Sequence, residues 1–204
     1  MKDDLDNFKS PYIPEFKTTD EAIDFIRKGT FHVHDRIGEV FKQKFNKMRC
    51  KIHRVLDHEE PLDDLTYDVY VTSILVDCRA LFLESPYRKK NSTLQNFYVS
   101  RGFEELAQSI DSKFVNKDIN GKKLGEIIKG WVDKRVAHVD YLDEETEEMY
   151  FDDILEILRR DTVENIFIEL LVIAGEYEEF KKTYGDSMTE QFDRMLQVMT
   201  GIGN

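Results

Sequence analysis

The residues best suited to acid–base chemistry lie in one short stretch, Asp133-Lys134-Arg135-Val136-Ala137-His138-Val139-Asp140. Imidazole titrates near neutral pH, so His138 can accept or release a proton there. If the stretch is helical, Lys134 and Arg135 precede His138 by four and three residues and share its face. A base beside two cations suits cleavage or binding of a phosphodiester. The alternative is a surface histidine at an ion-paired helix end.

Two other histidines, His32 and His34, are candidates for a metal site together with His138 and Asp140. Zinc and iron sites use such ligands. Side chains two residues apart on a helix point about 200° apart, so this pair could bind one ion only from a loop or strand. We therefore predict no metal site and no other cofactor.

A basic stripe, defined as Lys44, Lys47, Lys51 and Arg54, recurs at helical spacings of three and four. No acidic residue occurs between Phe41 and Arg54. Such a stripe is suited to following an RNA or DNA backbone, so these four residues are candidates for nucleic-acid binding. The alternative is an ordinary solvated helix face.

An acidic segment follows His138. Between Asp140 and Glu156 the chain carries nine carboxylates and no Lys or Arg. Carboxylates near a nucleic-acid site repel the substrate, which counts against a nuclease beside His138. The segment is equally suited to pairing with the basic stripe, in this chain or in a neighbour.

The composition indicates a folded chain with a real core. Among 204 residues, 41% are hydrophobic and 12% aromatic, which argues against disorder. The 29 basic and 41 acidic residues give a net charge of −12, which opposes broad adhesion to nucleic acid or anionic membrane. Cys50 and Cys78 have no metal or redox spacing, the first residues lack a signal-peptide pattern, and the apolar run at 166–174 is too short to span a bilayer. We expect a cytoplasmic protein without a membrane segment.

The elements that must position these residues are predicted to be helices. Over 35–56 an apolar stripe recurs at spacings of three and four; it comprises Ile37, Phe41, Phe45, Met48, Ile52 and Val55. The stretch 69–83 is apolar on most sides, as is typical of a central helix. Helices are also predicted over 123–139 and about 161–184. The predicted fold is all-α, an antiparallel bundle with a four-helix core and extra N- and C-terminal helices.

Turn and cap residues divide this bundle from its ends. Pro11 and Pro14 indicate an extended arm over 1–17, a single helical domain covers 18–185, and an amphipathic helix and flexible tail occupy 186–204.

Three capping signals set the predicted helix starts. Thr18-x-x-Glu21 and Asp161-x-x-Glu164 have the spacing of capping boxes, and Asp63 or its neighbour is placed to cap the central helix.

Asp77 is the one carboxylate within the apolar part of the central helix. A buried carboxylate must be paired or protonated. The candidate partners are Arg135 and Arg79 of another copy, and the alternative is a position on the helix surface.

Two blocks of the chain resemble the HEPN superfamily, most closely its abortive-infection-associated branch. The stretch 133–140 is similar to that branch's Arg-Asp-Lys-x-x-Ala-His-x-Asp signature, and Val76–Glu84 with Asn91–Gln95 is similar to its central helix and following turn. The resemblance covers roughly residues 65–180. It implies a helical bundle that often dimerises, with the Arg and His of each subunit near the interface. Active members are metal-independent RNases of toxin–antitoxin, phage-defence or stress systems, and others are inactive binding modules.

The chain departs from this signature at its arginine. His138 matches the family histidine and Asp133 matches the polar residue after the arginine, but Val132 stands at the arginine position. A valine cannot hold a phosphate, although Lys134 or Arg135 could compensate. The leading hypothesis is a non-catalytic HEPN-like homodimer that binds RNA or an antitoxin-like protein. The alternatives are a metal-independent endoribonuclease that uses these residues, and an unrelated helical regulatory or scaffold protein.

Overall fold

The chain folds as an all-α bundle, which confirms the predicted fold class. The computed structural model describes residues 16–22, 31–84, 91–133, 154, 157–185, 187 and 190–191. Its main helices are Phe31–Val55 (α1), Asp64–Phe82 (α2), Leu94–Val99 (α3), Glu104–Ile110 (α4), Leu124–Trp131 (α5) and Arg160–Tyr184 (α6). A π-helical turn, Asp111–Val115, continues α4, and two short strands, Asp118–Ile119 (β1) and Lys122–Lys123 (β2), precede α5.

Helix α1 buries the apolar stripe that its sequence predicts. All six predicted positions are core residues: Ile37, Phe41, Phe45, Met48, Ile52 and Val55. The Phe41 ring lies 5.0 Å from the Phe45 ring and 5.3 Å from Tyr177 of α6, measured between ring centroids. Aromatic contacts therefore join the first long helix of the bundle to the last.

Helix α2 is covered over most of the predicted apolar stretch 69–83, as expected of a central helix, but a narrow strip on one side is exposed. One face buries Tyr67, Ile74, Leu75, Cys78, Leu81 and Phe82. On the opposite face Leu65 is 76% exposed, Val69 60% and Val76 37%. A helix that is apolar all round is either buried or covered by a partner, and the sequence alone does not distinguish the two.

The predicted caps form in two of three places. Near the start of the described chain, the Glu21 N–H donates to Thr18 Oγ1 at 3.2 Å, while the Glu21 carboxylate accepts from the Lys17 N–H at 2.7 Å. The predicted capping box at Asp161 does not form, because α6 begins at Arg160 and Asp161 lies inside its first turn. Its Glu164 carboxylate instead accepts from Arg160 Nε at 3.2 Å.

Asp63 caps α2, and its charge makes that cap dependent on pH. Its carboxylate accepts from the Thr66 hydroxyl at 2.6 Å and from the Thr66 N–H at 3.0 Å. The bond from the Thr66 hydroxyl has the larger effect and the bond from the Thr66 N–H the next, and both lower the pKa of Asp63 below its ordinary value. A lowered pKa stabilises the folded state above the unfolded pKa, and that contribution is lost as the pH falls through the folded pKa.

We therefore expect the stability advantage of the wild type over Asp63→Asn to shrink as the pH falls below about 4. Asn is the matched substitution because it retains an N-cap oxygen without the charge. Urea unfolding midpoints at pH 7, 5 and 3 measure the difference. An equal difference at all three pH values would contradict the assignment.

Asn120 and Gly121 form the turn of a small β-hairpin, which the all-helical prediction does not include. Both residues have positive φ, 53° and 83°, as a type I′ turn requires. The turn pairs Asp118 with Lys123 and Ile119 with Lys122. Strands of two residues are too short to show an alternating pattern, so the sequence does not predict them.

Candidate functional site

Arg79 of α2 and Asp133, just after α5, form an ion pair between two segments that are far apart in the sequence. Arg79 Nε donates to Asp133 Oδ1 at 3.0 Å, and Nη2 donates to Oδ2 at 3.4 Å. The Arg79 Nη1 also donates to the Leu83 carbonyl at 3.0 Å, at the end of α2. Both charged side chains are half-buried, so this ion pair links α2 to the residues that follow α5.

This ion pair belongs to a polar cluster, defined as Arg79, Glu84, Asn91 and Asp133. Arg79 Nη1 lies 3.5 Å from Glu84 Oε1, and Asn91 Nδ2 donates to Glu84 Oε2 at 3.1 Å. One guanidinium thus lies between two carboxylates, and its positive charge is compensated. A phosphate would have to compete with both carboxylates for Arg79.

Val132, at the position of the signature arginine, is a core residue with 5% of its surface exposed. The backbone changes from α to π geometry at Val132 and Asp133, directly after Trp131. Such π turns redirect the side chains that follow an α-helix. Here Val132 faces the core while Asp133 reaches Arg79, so a longer side chain at 132 would begin inside the core.

Several predicted site residues lie outside the residues that the structure describes. They are Lys134, Arg135, His138 and Asp140, with nearly all of the acidic segment that follows. The backbone of His32 and His34 belongs to α1, but their side chains also lie outside the described part. The catalytic hypothesis on His138 therefore stays a prediction.

Two of the four side chains of the basic stripe, Lys51 and Arg54, make contacts within the chain, and the other two do not share those contacts. Lys51 Nζ donates to Asp77 Oδ2 at 2.6 Å and to Ser73 Oγ at 2.7 Å. Lys51 of the same chain is thus the observed partner of Asp77, a pairing that the sequence pattern does not predict. Arg54 Nη1 donates to a backbone carbonyl of the following loop at 2.5 Å. Lys44 and Lys47 remain exposed, so half of the predicted stripe is presented to solvent.

Arg101 is a second cation that the sequence did not single out, and its side chain is fully buried. Its guanidinium lies 3.8 Å from the centroid of the Phe97 ring, with Asp35 Oδ1 3.8 Å from Nη2. Arg101 Nη1 donates to Ser100 Oγ at 3.1 Å. Gly38 leaves room for this group, since a Cβ there would lie 3.0 Å from Arg101 Nη2. Arg101 therefore connects α1 to the residues after α3.

The cysteines offer no activated nucleophile in the described structure. Cys78 is fully buried, and burial, followed by the nearby Asp77 charge, raises the pKa of its thiol. Its Sγ lies 3.8 Å from Met48 Sδ. A protonated, buried thiol is a poor nucleophile. Cys50 is free and exposed.

The α2 outer face, defined as Leu65, Val69, Thr72, Val76 and Ala80, is a mostly apolar strip on the solvent side of α2, where Leu65, Val69 and Val76 are exposed. These residues recur at spacings of four, three, four and four, which places them on one stripe of the helix. Single exposed apolar residues are ordinary, but a continuous stripe marks a contact surface. The signal in the sequence was the apolar character of α2 on every side.

Comparison of the chain with protein-family models, curated proteins and solved structures found no match. Among the described residues, no group of three or more His, Cys, Asp or Glu is arranged to hold a metal ion. Nor is any helix in the described ranges long and apolar enough to cross a membrane. The class of protein that the fold defines is a helical bundle.

Proposed function

We propose that this protein is a non-catalytic, HEPN-like binding module that forms a homodimer through the α2 outer face. Its partner would be RNA or an antitoxin-like protein, in a cytoplasmic defence, toxin–antitoxin or stress pathway. The observation that carries the proposal is the exposed apolar stripe from Leu65 to Val76. A partner that covers this stripe removes apolar surface from water, which stabilises the complex.

The spacing of the α2 outer face suits a second copy of itself. In an antiparallel pair of α2 helices, Leu65 of one copy lies opposite Ala80 of the other, and Val69 lies opposite Val76. The two Thr72 side chains then meet near the two-fold axis. Leu65 thus faces a small residue and Val69 faces one of its own size, and the contact extends about 22 Å at 1.5 Å per residue. A surface that is complementary to itself in this way is what a two-fold dimer requires.

The preference for binding over catalysis rests on Arg79 and Val132. Stabilising a phosphodiester transition state requires a cation aimed at the developing charge. The Arg79 guanidinium is compensated by Asp133 and Glu84, and Val132 packs in the core. The second candidate function is a metal-independent RNase, supported by the sequence motif at His138 and by the exposed Lys44 and Lys47.

The test is the molar mass of purified protein, measured by light scattering after size exclusion at about 10 µM. We expect a dimer for the wild type and a monomer for Val69→Lys/Val76→Lys, because a desolvated ammonium is costly in an apolar interface. The matched control is Gln43→Lys/Asn46→Lys, which adds the same charge to exposed positions of α1. This control should remain a dimer.

A monomeric wild type, or a dimer that survives in Val69→Lys/Val76→Lys, would contradict dimerisation through α2. A parallel assay of RNA cleavage in EDTA addresses catalysis. Cleavage by the wild type that disappears in His138→Ala would replace the proposal with the RNase.

A further inference from the structure

Lys44 and Lys47 are the members of the basic stripe whose charges no other described residue compensates. Both side chains are exposed, and neither forms an ion pair with any residue that the structure describes. In the same stripe, Lys51 Nζ lies 2.6 Å from the Asp77 carboxylate, and Arg54 donates to a backbone carbonyl. The charges of Lys44 and Lys47 are therefore open to a second molecule.

The acidic loop, defined as residues 57–60 between α1 and α2, is a surface of opposite charge. Asp57 of this loop is engaged locally, since its Oδ1 accepts the Glu59 N–H at 3.1 Å and its Oδ2 lies 3.9 Å from Arg54. The side chains of Glu59 and Glu60 are exposed, and neither forms an ion pair within the described ranges. The loop thus presents two uncompensated carboxylates to solvent.

Contacts between α1 and α2 show that the two helices run antiparallel, side by side. Lys51 contacts Asp77, and Met48 Sδ lies 3.8 Å from Cys78 Sγ. Residue numbers on α2 therefore rise as those on α1 fall, and the two numbers at one level add to nearly the same value along the pair.

This register gives the positions of the two exposed lysines. Lys47 is level with Ala80 of α2, and Lys44 is level with Phe82, near the end of α2. Lys44, Lys47 and Lys51 are spaced by three and four residues, so they occupy one edge of α1. Because Lys51 on this edge contacts α2, the edge lies beside α2.

The proposed α2 pair brings the acidic loop of the second copy to this edge. Ala80 of one copy lies opposite Leu65 of the other, so the end of one α2 lies beside the start of the other. The two-fold axis is perpendicular to both α2 helices and keeps the two α1 helices on the same side of the pair. The loop that joins α1 to α2 in the second copy therefore approaches Lys44 and Lys47 of the first.

We infer that Lys44 and Lys47 of one copy attract Glu59 and Glu60 of the other, and that the exposed part of the basic stripe orients the dimer instead of holding nucleic acid. The two-fold axis repeats this contact at both ends of the pair. A parallel pair would place the two acidic loops together, which is repulsive. This inference rests on the proposed dimer, and it names the groups that select a second copy in the antiparallel orientation.

The experiment compares dimer dissociation constants by sedimentation equilibrium at about 20 mM salt, where screening is weak. Lys44→Glu/Lys47→Glu and Glu59→Lys/Glu60→Lys each place like charges at both contacts. Each variant should therefore dimerise at least about tenfold more weakly than the wild type. All four positions are exposed, and circular dichroism checks that the helices are retained.

An equimolar mixture of the two variants is the decisive sample. In a heterodimer both contacts again join opposite charges, so the mixture should dimerise with about the wild-type constant. The matched control is Lys123→Glu/Lys129→Glu, which changes the net charge as Lys44→Glu/Lys47→Glu does, at exposed positions of β2 and α5. This control should dimerise as the wild type does. At about 1 M salt the differences between the variants should largely disappear.

A monomeric wild type would overturn the α2 dimer and this inference together. A dimeric wild type whose constant is unchanged in both charge-reversed variants would overturn the inference alone and leave the α2 dimer intact. A mixture that dimerises no more tightly than its two components would also overturn it, because the lysines and the acidic loop would then act without facing each other.

Discussion

A Val132→Arg variant is expected to lose about 3–5 kcal/mol of unfolding free energy. Val132 packs in the core after α5, and the next residue, Asp133, is already paired with Arg79. The arginine would either be buried without a partner or force the end of α5 away from α2. Urea unfolding followed by circular dichroism measures the loss.

The control for this substitution is Glu126→Arg, which places the same side chain on the exposed face of α5. That variant should change the stability by about 0.5 kcal/mol or less. If Val132→Arg were as stable as the wild type, the side chain at 132 would have a route to solvent. RNA cleavage by such a variant would then revive the RNase hypothesis, since the signature arginine would have been restored.

A Phe97→Ala variant is expected to lose about 3–5 kcal/mol, because Phe97 holds α3 in place. The Phe97 ring is buried, and its centroid lies 5.2 Å from that of Tyr177 and 5.8 Å from that of Phe180. The Arg101 guanidinium covers another side of the ring. A helix of six residues has too few hydrogen bonds to persist without such packing. Chemical unfolding of the variant measures the loss.

Tyr184→Ala is the matched control at the edge of the same aromatic cluster. The Tyr184 ring lies 4.9 Å from Phe180, but the residue is 41% exposed. Its truncation should therefore cost less than about 1 kcal/mol. Similar losses in both variants would show that Phe97 has no special role and that the cluster shares the stabilisation evenly.

The sequence predicted α1 well because one face of that helix is apolar and the others are polar. Each of its six apolar positions, from Ile37 to Val55, is buried as expected. For α2, which is apolar on most sides, the same logic predicts a central helix but does not locate the exposed strip that includes Val69 and Val76. Periodicity locates an apolar face, but it does not say whether that face meets the core of the same chain or a second molecule.

The candidate site was less predictable because its contacts join residues far apart in the sequence. Arg79 and Asp133 are separated by 54 positions, and Lys51 and Asp77 by 26. The sequence suggested Arg79 of another copy as one partner for Asp77, whereas Asp77 pairs with Lys51 and Arg79 pairs with Asp133. Their pairing depends on how α2 packs against α1 and α5, which is a property of the assembled bundle. Val132 shows the same limit, because its position just after α5 in the sequence does not indicate whether its side chain faces the core or the solvent.

The Asn120–Gly121 turn makes the protein convenient to label. The turn lies at the tip of a two-residue hairpin, both of its residues are exposed, and a Cβ at Gly121 would meet nothing within 4 Å. Exposed loop tips of this kind are where proteins tolerate inserted peptides best. A fluorophore-binding tag placed between these two residues would report on dimer formation without touching the α2 outer face.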